Sequence, residues 1–256
     1  MNNYVLILGA SSGIGAACAE EFSKKGFNII GVYLRKPKSH IEELTKRIKK
    51  NKVKVTFIKS NAANPNYRKK IINDIKKDKT INIKAFVHSL AFGTLKPMIS
   101  KDSADMLNQK NIEMTLDVMA NSIVYWTQDL FKNNLLTSGS QIFAMTSAGS
   151  HVQWKSYGAV SMAKAALESA VRQLAVELAP YKIAANSIQA GITDTEALRK
   201  IPGSETMIDG AVKSNPNKRL TLPEDVAKAV ANIGLSDDTW MTGNTIRLDG
   251  GEDIFG

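Results

Sequence analysis

The chain has 256 residues, a net charge of +10, 43% hydrophobic residues and a single cysteine. This length fits one large α/β domain over residues 1–256 better than two smaller ones. The lone Cys18 excludes an internal disulfide framework and is typical of a reducing compartment. No apolar run approaches the roughly 18 residues that span a membrane, and the N-terminus lacks the pattern of a secretory signal. We therefore expect a cytoplasmic protein without a membrane partner.

Strand-like and helix-like patterns alternate along the chain. Strands are predicted at residues 4–8, 28–34, 53–58, 84–87, 141–145, 183–188 and 244–248. Helices are predicted at residues 14–25, 41–50, 67–77 and 161–178, with a later helix starting near Pro223. Such alternation is typical of right-handed βαβ units. The expected fold class is therefore α/β: a Rossmann-type doubly wound parallel sheet of about seven strands with helices on both faces.

Lysine and arginine concentrate at residues 35–54 and 68–79, in segments that also carry helix-spaced apolar residues. Two explanations remain open. These charges are either the solvated faces of amphipathic helices or a surface that attracts anions, such as a cofactor phosphate or an acidic carrier protein. Aromatic content is low at 7%, and no motif interleaves aromatic and basic residues, so nucleic acid is not an expected partner.

The most informative local pattern is GASSGIG at residues 9–15, between the first predicted strand and the first predicted helix. Glycines there permit a tight turn and a close approach of backbone to a pyrophosphate. The partly positive N-terminus of the following helix attracts that anion. The pattern predicts a dinucleotide-binding loop. Its predicted cofactor-binding residues are Gly9, Ser11, Ser12, Gly13, Ile14 and Gly15.

The end of the second predicted strand, YLRK at residues 33–36, indicates which dinucleotide binds. An NAD-dependent enzyme usually carries an acid there for the ribose hydroxyls. This chain carries none, and Arg35 and Lys36 can pair with a 2′-phosphate. The predicted cofactor is therefore NADPH. The alternative is that both cations are ordinary basic surface residues.

A second group of polar residues follows the fifth predicted strand. Ser147 precedes Lys164 by seventeen residues and Tyr157 precedes it by seven. Seven residues make almost two helical turns, so a helix through both would place Tyr157 and Lys164 on one face, about 10 Å apart along the axis. With the G-x-x-x-G-x-G loop, this pattern resembles the short-chain dehydrogenase/reductase superfamily over the whole chain. The usual tyrosine position of that superfamily is Val160 here.

The Tyr157-to-Lys164 spacing is similar to that of the enoyl-acyl-carrier-protein reductases of bacterial fatty-acid synthesis. HSLAFG at residues 88–93 resembles a run of the FabI-type enzymes, and Asp117 replaces a helix asparagine of ketoreductases, as in that branch. SMAKAALE at residues 161–168 and ITDTEAL at residues 192–198 are most similar to the FabL kind. Ser147 stands where FabI-type enzymes carry a second tyrosine, again as in the FabL kind.

The resemblance implies NADPH-dependent reduction of trans-2-enoyl thioesters on acyl carrier protein by a homotetramer. Tyr157 would bond the thioester oxygen, Lys164 would hold the nicotinamide ribose, and Ser147 would add a hydrogen bond or order a water. Residues 193–219, rich in Gly, Pro, Ser and Asn, are expected to cover the site as a flap. The other implied cofactor-binding residues are Asn61, Ala62, Ser89, Ala91, Gly191, Ile192 and Thr195.

Two alternatives remain open at this point. Because Ser147 is also the serine of ordinary short-chain reductases, the chain could be a 3-oxoacyl-acyl-carrier-protein reductase or another ketone reductase. It could also be a catalytically silent NADP-binding regulator, against which the retained Tyr157 and Lys164 argue.

The histidines lack the spacing of metal ligands, so no metal is expected. His88 is predicted to be a structural histidine beside the cofactor, with its hydrogen bonds satisfied.

Overall fold

The computed structural model describes residues 2–255, and its strands form one parallel sheet. The sheet has seven strands in the order β3-β2-β1-β4-β5-β6-β7. The strands are β1 (Asn2–Leu8), β2 (Asn28–Tyr33), β3 (Val55–Lys59), β4 (Ile81–His88), β5 (Gln141–Ser147), β6 (Ala184–Ala190) and β7 (Thr245–Leu248). The order reverses between β1 and β4, and in such sheets a ligand crevice opens at the carboxyl ends of those strands.

Helices cover both faces of this sheet. They are α1 (Gly13–Lys24), α2 (Lys38–Lys49), α3 (Pro65–Ile75), α4 (Gln109–Leu116), α5 (Ser122–Lys132), α6 (Gly158–Leu178), α7 (Ser204–Ser214) and α8 (Pro223–Leu235). A single π-helical turn, Asp117–Asn121, joins α4 to α5. None of the helices within residues 2–255 has the length and hydrophobicity needed to cross a membrane.

The alternation of side chains along β1 divides the core into two layers. Leu6 and Leu8 pack with α3, α5 and α6 on one face, whereas Val5 and Ile7 pack with α1, α2 and α8 on the other. A strand buried on both faces reads as a continuous apolar run, which is why β1 was detectable from the sequence. Doubly wound packing is thereby confirmed.

Some helices begin at a side-chain cap, whereas the helix that borders the site does not. The Asn64 side chain accepts hydrogen bonds from the amides of Asn66 and Tyr67 at the start of α3, at 2.9 and 3.2 Å. Asp225 likewise accepts from Leu222 N at the start of α8. Ser12, at the start of α1, makes no side-chain cap. The first amides of α1, at the carboxyl end of β1, therefore have no side-chain cap.

Candidate active site

The turn from β1 into α1 packs backbone against backbone and leaves no room for a side chain at Gly9 or Gly15. Gly9 has φ of +81°, in the left-handed region that favours glycine. A methyl group on Gly9 would lie 2.2 Å from Ser89 O, and one on Gly15 would lie 2.2 Å from Gly9 O. The loop therefore holds β1, α1 and the end of β4 in direct backbone contact.

The same loop presents a surface for an anion. Ala16 N is the first amide of α1 to bond within the helix, to Ser12 O, so the amides of Gly13 to Gly15 precede the helical ladder. The first turn of α1 carries no acidic residue. Thr195 of the flap lies above this turn, because a methyl group on Gly13 would be 3.3 Å from Thr195 Cγ2. This arrangement fits the pyrophosphate of a dinucleotide.

The two predicted phosphate-binding cations lie together just beyond β2. The Arg35 guanidinium stacks on the Phe92 ring, 4.1 Å from its centroid. Lys36 Nζ pairs with the Glu196 carboxylate on the flap, and Lys36 lowers the pKa of Glu196. Sequence reasoning placed both cations but missed this acidic partner, because the two residues are 160 positions apart.

Four further predicted cofactor residues follow the ends of β3 and β4. Asn61 Oδ1 accepts from Ala63 N at 3.1 Å, and Ala62 O accepts from the Trp126 indole at 2.8 Å. Ser89 N donates to Leu8 O at 3.0 Å, whereas Ala91 is exposed. Because parallel strands end at one edge of the sheet, the structure brings these residues to the same crevice as the glycine loop.

Tyr157 lies at the start of the helix and not within it, whereas a helix face shared with Lys164 requires a helix through both residues. Helix α6 begins at Gly158, and Tyr157 is its N-cap, with φ of −99° and ψ of 1°. The chain reaches it through Ser156, whose φ of +62° is left-handed, so the turn breaks the helical phase that the seven-residue spacing assumed. The Tyr157 carbonyl still accepts from Ser161 N at 2.8 Å, which ties it to the first turn of α6.

The three predicted catalytic residues nevertheless meet at the carboxyl end of β5. Lys164 Nζ, inside α6, donates to Met145 O at 2.6 Å. A methyl group on Gly149 would lie 2.6 Å from Tyr157 Cε1 and 3.2 Å from Ser147 Oγ. Gly149 therefore leaves room for the tyrosine ring beside the serine, and Lys164 approaches the same strand from the helix.

Burial shifts the pKa values of the ionisable groups at the carboxyl end of β5. Desolvation lowers the pKa of Lys164 to about 8, against which Glu168 acts. Burial raises the pKa of the Tyr157 hydroxyl, and the nearby Ser147 side chain partly opposes the rise. Ser147 Oγ is itself buried, and no group within residues 2–255 meets it with hydrogen-bond geometry. A protonated tyrosine, a serine hydroxyl and a lysine with a lowered pKa can together bind and polarise a substrate oxygen.

His88 borders this corner, and only part of the prediction for it is right. Its Nε2 lies 2.8 Å from Ser122 Oγ, whose hydroxyl donates to Val118 O, so Nε2 carries the hydrogen. Burial and the charge of Lys164 lower the pKa of His88 to about 3, which keeps it neutral. Its Nδ1 has no partner within the described chain. The ring is buried as expected but is not fully satisfied.

The flap begins with a contact that the sequence did not reveal. Gly191 is required because a methyl group there would lie 2.4 Å from Thr221 Oγ1. Ile192 N donates to both carboxylate oxygens of Glu252, at 3.1 and 3.2 Å. Three acids soon after β7, at positions 249, 252 and 253 of a basic chain, are the sequence signal for this contact, which was not predicted. No group of three or more potential ligands could hold a metal ion among residues 2–255.

Comparison with known proteins shows to which family this chain belongs. A family model described as "Enoyl-(Acyl carrier protein) reductase" matches residues 9–252. With the fold, this match identifies an oxidoreductase of the short-chain dehydrogenase/reductase superfamily. Within it, the chain belongs to the enoyl-(acyl carrier protein) reductase family.

The curated relatives are distant, and their matches cover between 47% and 98% of this chain. The NADH-named enoyl-[acyl-carrier-protein] reductase FabI of Enterococcus faecalis is 26% identical over 257 residues, covering 98% of this chain and 97% of that protein. The NADPH-named FabI of Staphylococcus aureus is 29% identical over 171 residues, 66% of this chain and 65% of that protein. The 1-cyclohexenylcarbonyl-CoA reductase of Streptomyces collinus is 33% identical, but the match spans only 47% of this chain and 44% of that protein. The two FabI names print a nicotinamide nucleotide, NADH in one enzyme and NADPH in the other.

Solved structures show the same fold for two activities. An enoyl-[acyl-carrier-protein] reductase (NADH) from Aquifex aeolicus superposes with a TM-score of 0.84 at 23% identity, covering 100% of this chain and 97% of that one. A 3-oxoacyl-[acyl-carrier protein] reductase from Brucella melitensis, in complex with NAD, superposes with a TM-score of 0.85 at 25% identity, covering 100% and 99%.

Proposed function

We propose that this chain reduces trans-2-enoyl thioesters carried on acyl carrier protein to saturated acyl thioesters, with NADPH, in fatty-acid biosynthesis. The observation that carries the proposal is that the Tyr157 ring lies beside Ser147 while Lys164 Nζ bonds to Met145 O, so both side chains reach the last residues of β5. The matching family model supports the same reaction class.

Tyr157 supplies the hydrogen bond that the reaction needs. NADPH, when bound, supplies a hydride to C3 of the enoyl group, and negative charge then develops on the thioester oxygen. Because its pKa is raised by burial, the Tyr157 hydroxyl stays protonated at neutral pH and can donate to that oxygen. In a buried corner such a bond is worth more than in water. Solvent completes the reduction by protonating C2.

Lys164 acts as an anchor and as a nearby cation. Its Nζ, now bonded to Met145 O, is placed to exchange that acceptor for the ribose hydroxyls of the cofactor. With a pKa of about 8 it remains mostly charged at neutral pH, which favours negative charge on the substrate oxygen. Ser147 Oγ, beside the Tyr157 ring, adds a second hydrogen bond or orders a water.

The preference for NADPH rests on the cations beyond β2. Arg35 and Lys36 offer positive charge where a 2′-phosphate is recognised, and no acid follows β2 directly. The chain's charge of +10 supports an acidic acyl carrier protein as partner. We further propose a cytoplasmic homotetramer, which light scattering on the purified chain tests.

The decisive experiment measures NADPH oxidation by its near-ultraviolet absorbance, with crotonyl and acetoacetyl thioesters of acyl carrier protein supplied in parallel at equal concentration. Turnover of crotonyl thioester alone supports the proposal. Repeating both arms with NADH tests the cofactor, and a preference for NADH would contradict the role given to Arg35 and Lys36. A Tyr157→Phe sample controls for contaminating reductases.

Reduction of 3-oxoacyl thioesters is the second candidate. The buried Ser147 hydroxyl, which has no partner at hydrogen-bond geometry in residues 2–255, suits a ketone oxygen that needs two donors. Turnover of acetoacetyl thioester alone would establish that activity instead. Tight NADPH binding without turnover of either thioester would favour a regulator that only binds the nucleotide.

A further inference from the structure

Glu252 lies in a short C-terminal segment, residues 249–255, that is fastened to the rest of the site from several directions. Asn215 Nδ2 donates to Asp249 O at 2.8 Å, and Asn217 Nδ2 donates to Gly250 O at 3.0 Å. At the other end, Asp253 accepts from His151 at 3.1 Å. The segment therefore bridges the flap and the loop that follows Ser147.

The Glu252 carboxylate itself is directed at the flap. Its two oxygens accept from Ile192 N at 3.1 and 3.2 Å. The turn around it does not need this acid, because Asp249 Oδ1 and Oδ2 already accept from the amides of Gly251 and Asp253. Glu252 thus serves the flap contact and not the turn.

The surroundings make a negative charge at this position unfavourable. Asp249 and Asp253 are the charged neighbours that act on Glu252, and with burial they raise its pKa. The basic groups of the region lie against Asp253 instead, with Arg247 Nε and His151 Nε2 each 3.1 Å from its carboxylate. Burial and two acidic neighbours therefore oppose the negative charge of Glu252, which favours its displacement.

We infer that Glu252 competes with the nicotinamide carboxamide of the cofactor for the backbone N–H of Ile192. This inference rests on the proposed function, because the resemblance to short-chain reductases implies that Ile192 would meet the nicotinamide carboxamide through its backbone. Ile192 has a single N–H, which Glu252 occupies, and its carbonyl accepts from Thr221 N at 3.2 Å. A carboxamide oxygen can accept from Ile192 only after Glu252 has left, so part of the cofactor's binding free energy is spent on displacing it.

This competition is selective for one end of the dinucleotide. The adenosine and phosphate contacts, at the glycine loop and at Arg35 and Lys36, do not involve Glu252. Removing the carboxylate should therefore strengthen binding of the complete cofactor and leave fragments that lack nicotinamide unaffected. In turnover, return of Glu252 to Ile192 would assist release of the oxidised nucleotide.

The test compares two ligands by titration calorimetry: NADPH, and adenosine 2′,5′-bisphosphate, which has no nicotinamide. We expect Glu252→Ala to tighten NADPH binding about tenfold, the worth of a hydrogen bond to a charged group, with no change for the bisphosphate. Glu252→Gln, which keeps the shape and loses the charge, should lie between. Asp209→Asn is the control, because it removes an exposed negative charge on α7, and both affinities should stay within about twofold.

The outcomes separate the inference from the function on which it rests. Unchanged NADPH affinity in Glu252→Ala, or equal tightening of both ligands, would overturn the inference while leaving the dinucleotide site intact. Failure of both wild type and Glu252→Ala to bind either ligand would overturn the proposed function, and the inference with it. If the alanine variant unfolds, the isosteric glutamine variant gives the same comparison.

Discussion

The two ends of the crevice are built in different ways. At the phosphate end, backbone packs on backbone, and a single methyl group at Gly9 or Gly15 would come within 2.2 Å of a carbonyl oxygen. At the catalytic end, side chains from a strand, a loop and a helix converge, and the glycine there, Gly149, makes room for the Tyr157 ring and not for another backbone segment.

Because of this difference, the two ends of the crevice contribute differently to the stability of the fold. The phosphate end has its backbone groups in close contact, so its geometry and its folding depend on the same atoms. The catalytic end carries features that oppose folding: a desolvated Lys164, and buried atoms Ser147 Oγ and His88 Nδ1 without partners in the described chain. Polar groups held ready for a ligand reduce stability before the ligand arrives. Substitutions should therefore affect folding at one end and chemistry at the other.

The largest effect is expected at the catalytic end from Tyr157→Phe. Loss of one hydroxyl removes the hydrogen bond to the developing oxyanion, so kcat should fall about 100- to 1000-fold. The dissociation constant of NADPH should stay within about twofold, because the ring remains. Steady-state kinetics and calorimetry measure the two quantities, with exposed Tyr181→Phe as control. An equal loss in NADPH affinity would mean that Tyr157 serves cofactor binding instead.

At the phosphate end, Gly15→Ala should damage folding and cofactor binding together. Its methyl group meets Gly9 O at 2.2 Å, so the backbone must shift, at about 1–3 kcal/mol in the free energy of unfolding, with at least about tenfold weaker NADPH binding. The matched control is Gly210→Ala in α7, where a methyl group meets nothing within 4 Å; it should be neutral or slightly stabilising. Urea unfolding with unchanged stability in Gly15→Ala would contradict the steric account.

Lys164→Met should increase stability and weaken cofactor binding. The pKa of about 8 in the folded chain lies below the ordinary 10.5, so the folded state binds this proton more weakly than the unfolded state. Wild-type stability should therefore rise with pH between those two values. The methionine variant should be about 1–2 kcal/mol more stable near neutral pH, with the advantage lost toward pH 10.5. Urea unfolding across this range measures it, and a stability difference that does not vary with pH would contradict the prediction.

The smallest effect is expected from Glu196→Gln, which frees Lys36 from its exposed partner. NADPH binding should tighten about two- to threefold, in keeping with the weakness of exposed ion pairs. NADH lacks the 2′-phosphate, so its binding should not change. Parallel calorimetric titrations with NADPH and NADH measure both affinities. Equal tightening of both cofactors would show that Glu196 acts by holding the flap and not through the phosphate site.

Much of the fold and part of the site could be predicted because their signals are local. The continuous apolar run of β1, the glycine spacing of residues 9–15 and the cations at 35 and 36 each lie within one short segment. Strand alternation and the right-handed rule then order such segments into a doubly wound sheet. The position of Ser147 at the end of β5, and of Lys164 on the helix that follows it, agrees with that order.

Other features depended on contacts between distant segments. The Lys36–Glu196 pair joins residues 160 positions apart, and the Ile192–Glu252 contact joins residues 60 positions apart. The departure of Tyr157 from the helix came from a left-handed turn at Ser156, a conformation that serine adopts rarely. Local patterns record how a segment can fold, whereas these contacts arise only after the sheet has brought strand ends, flap and C-terminal segment to one edge.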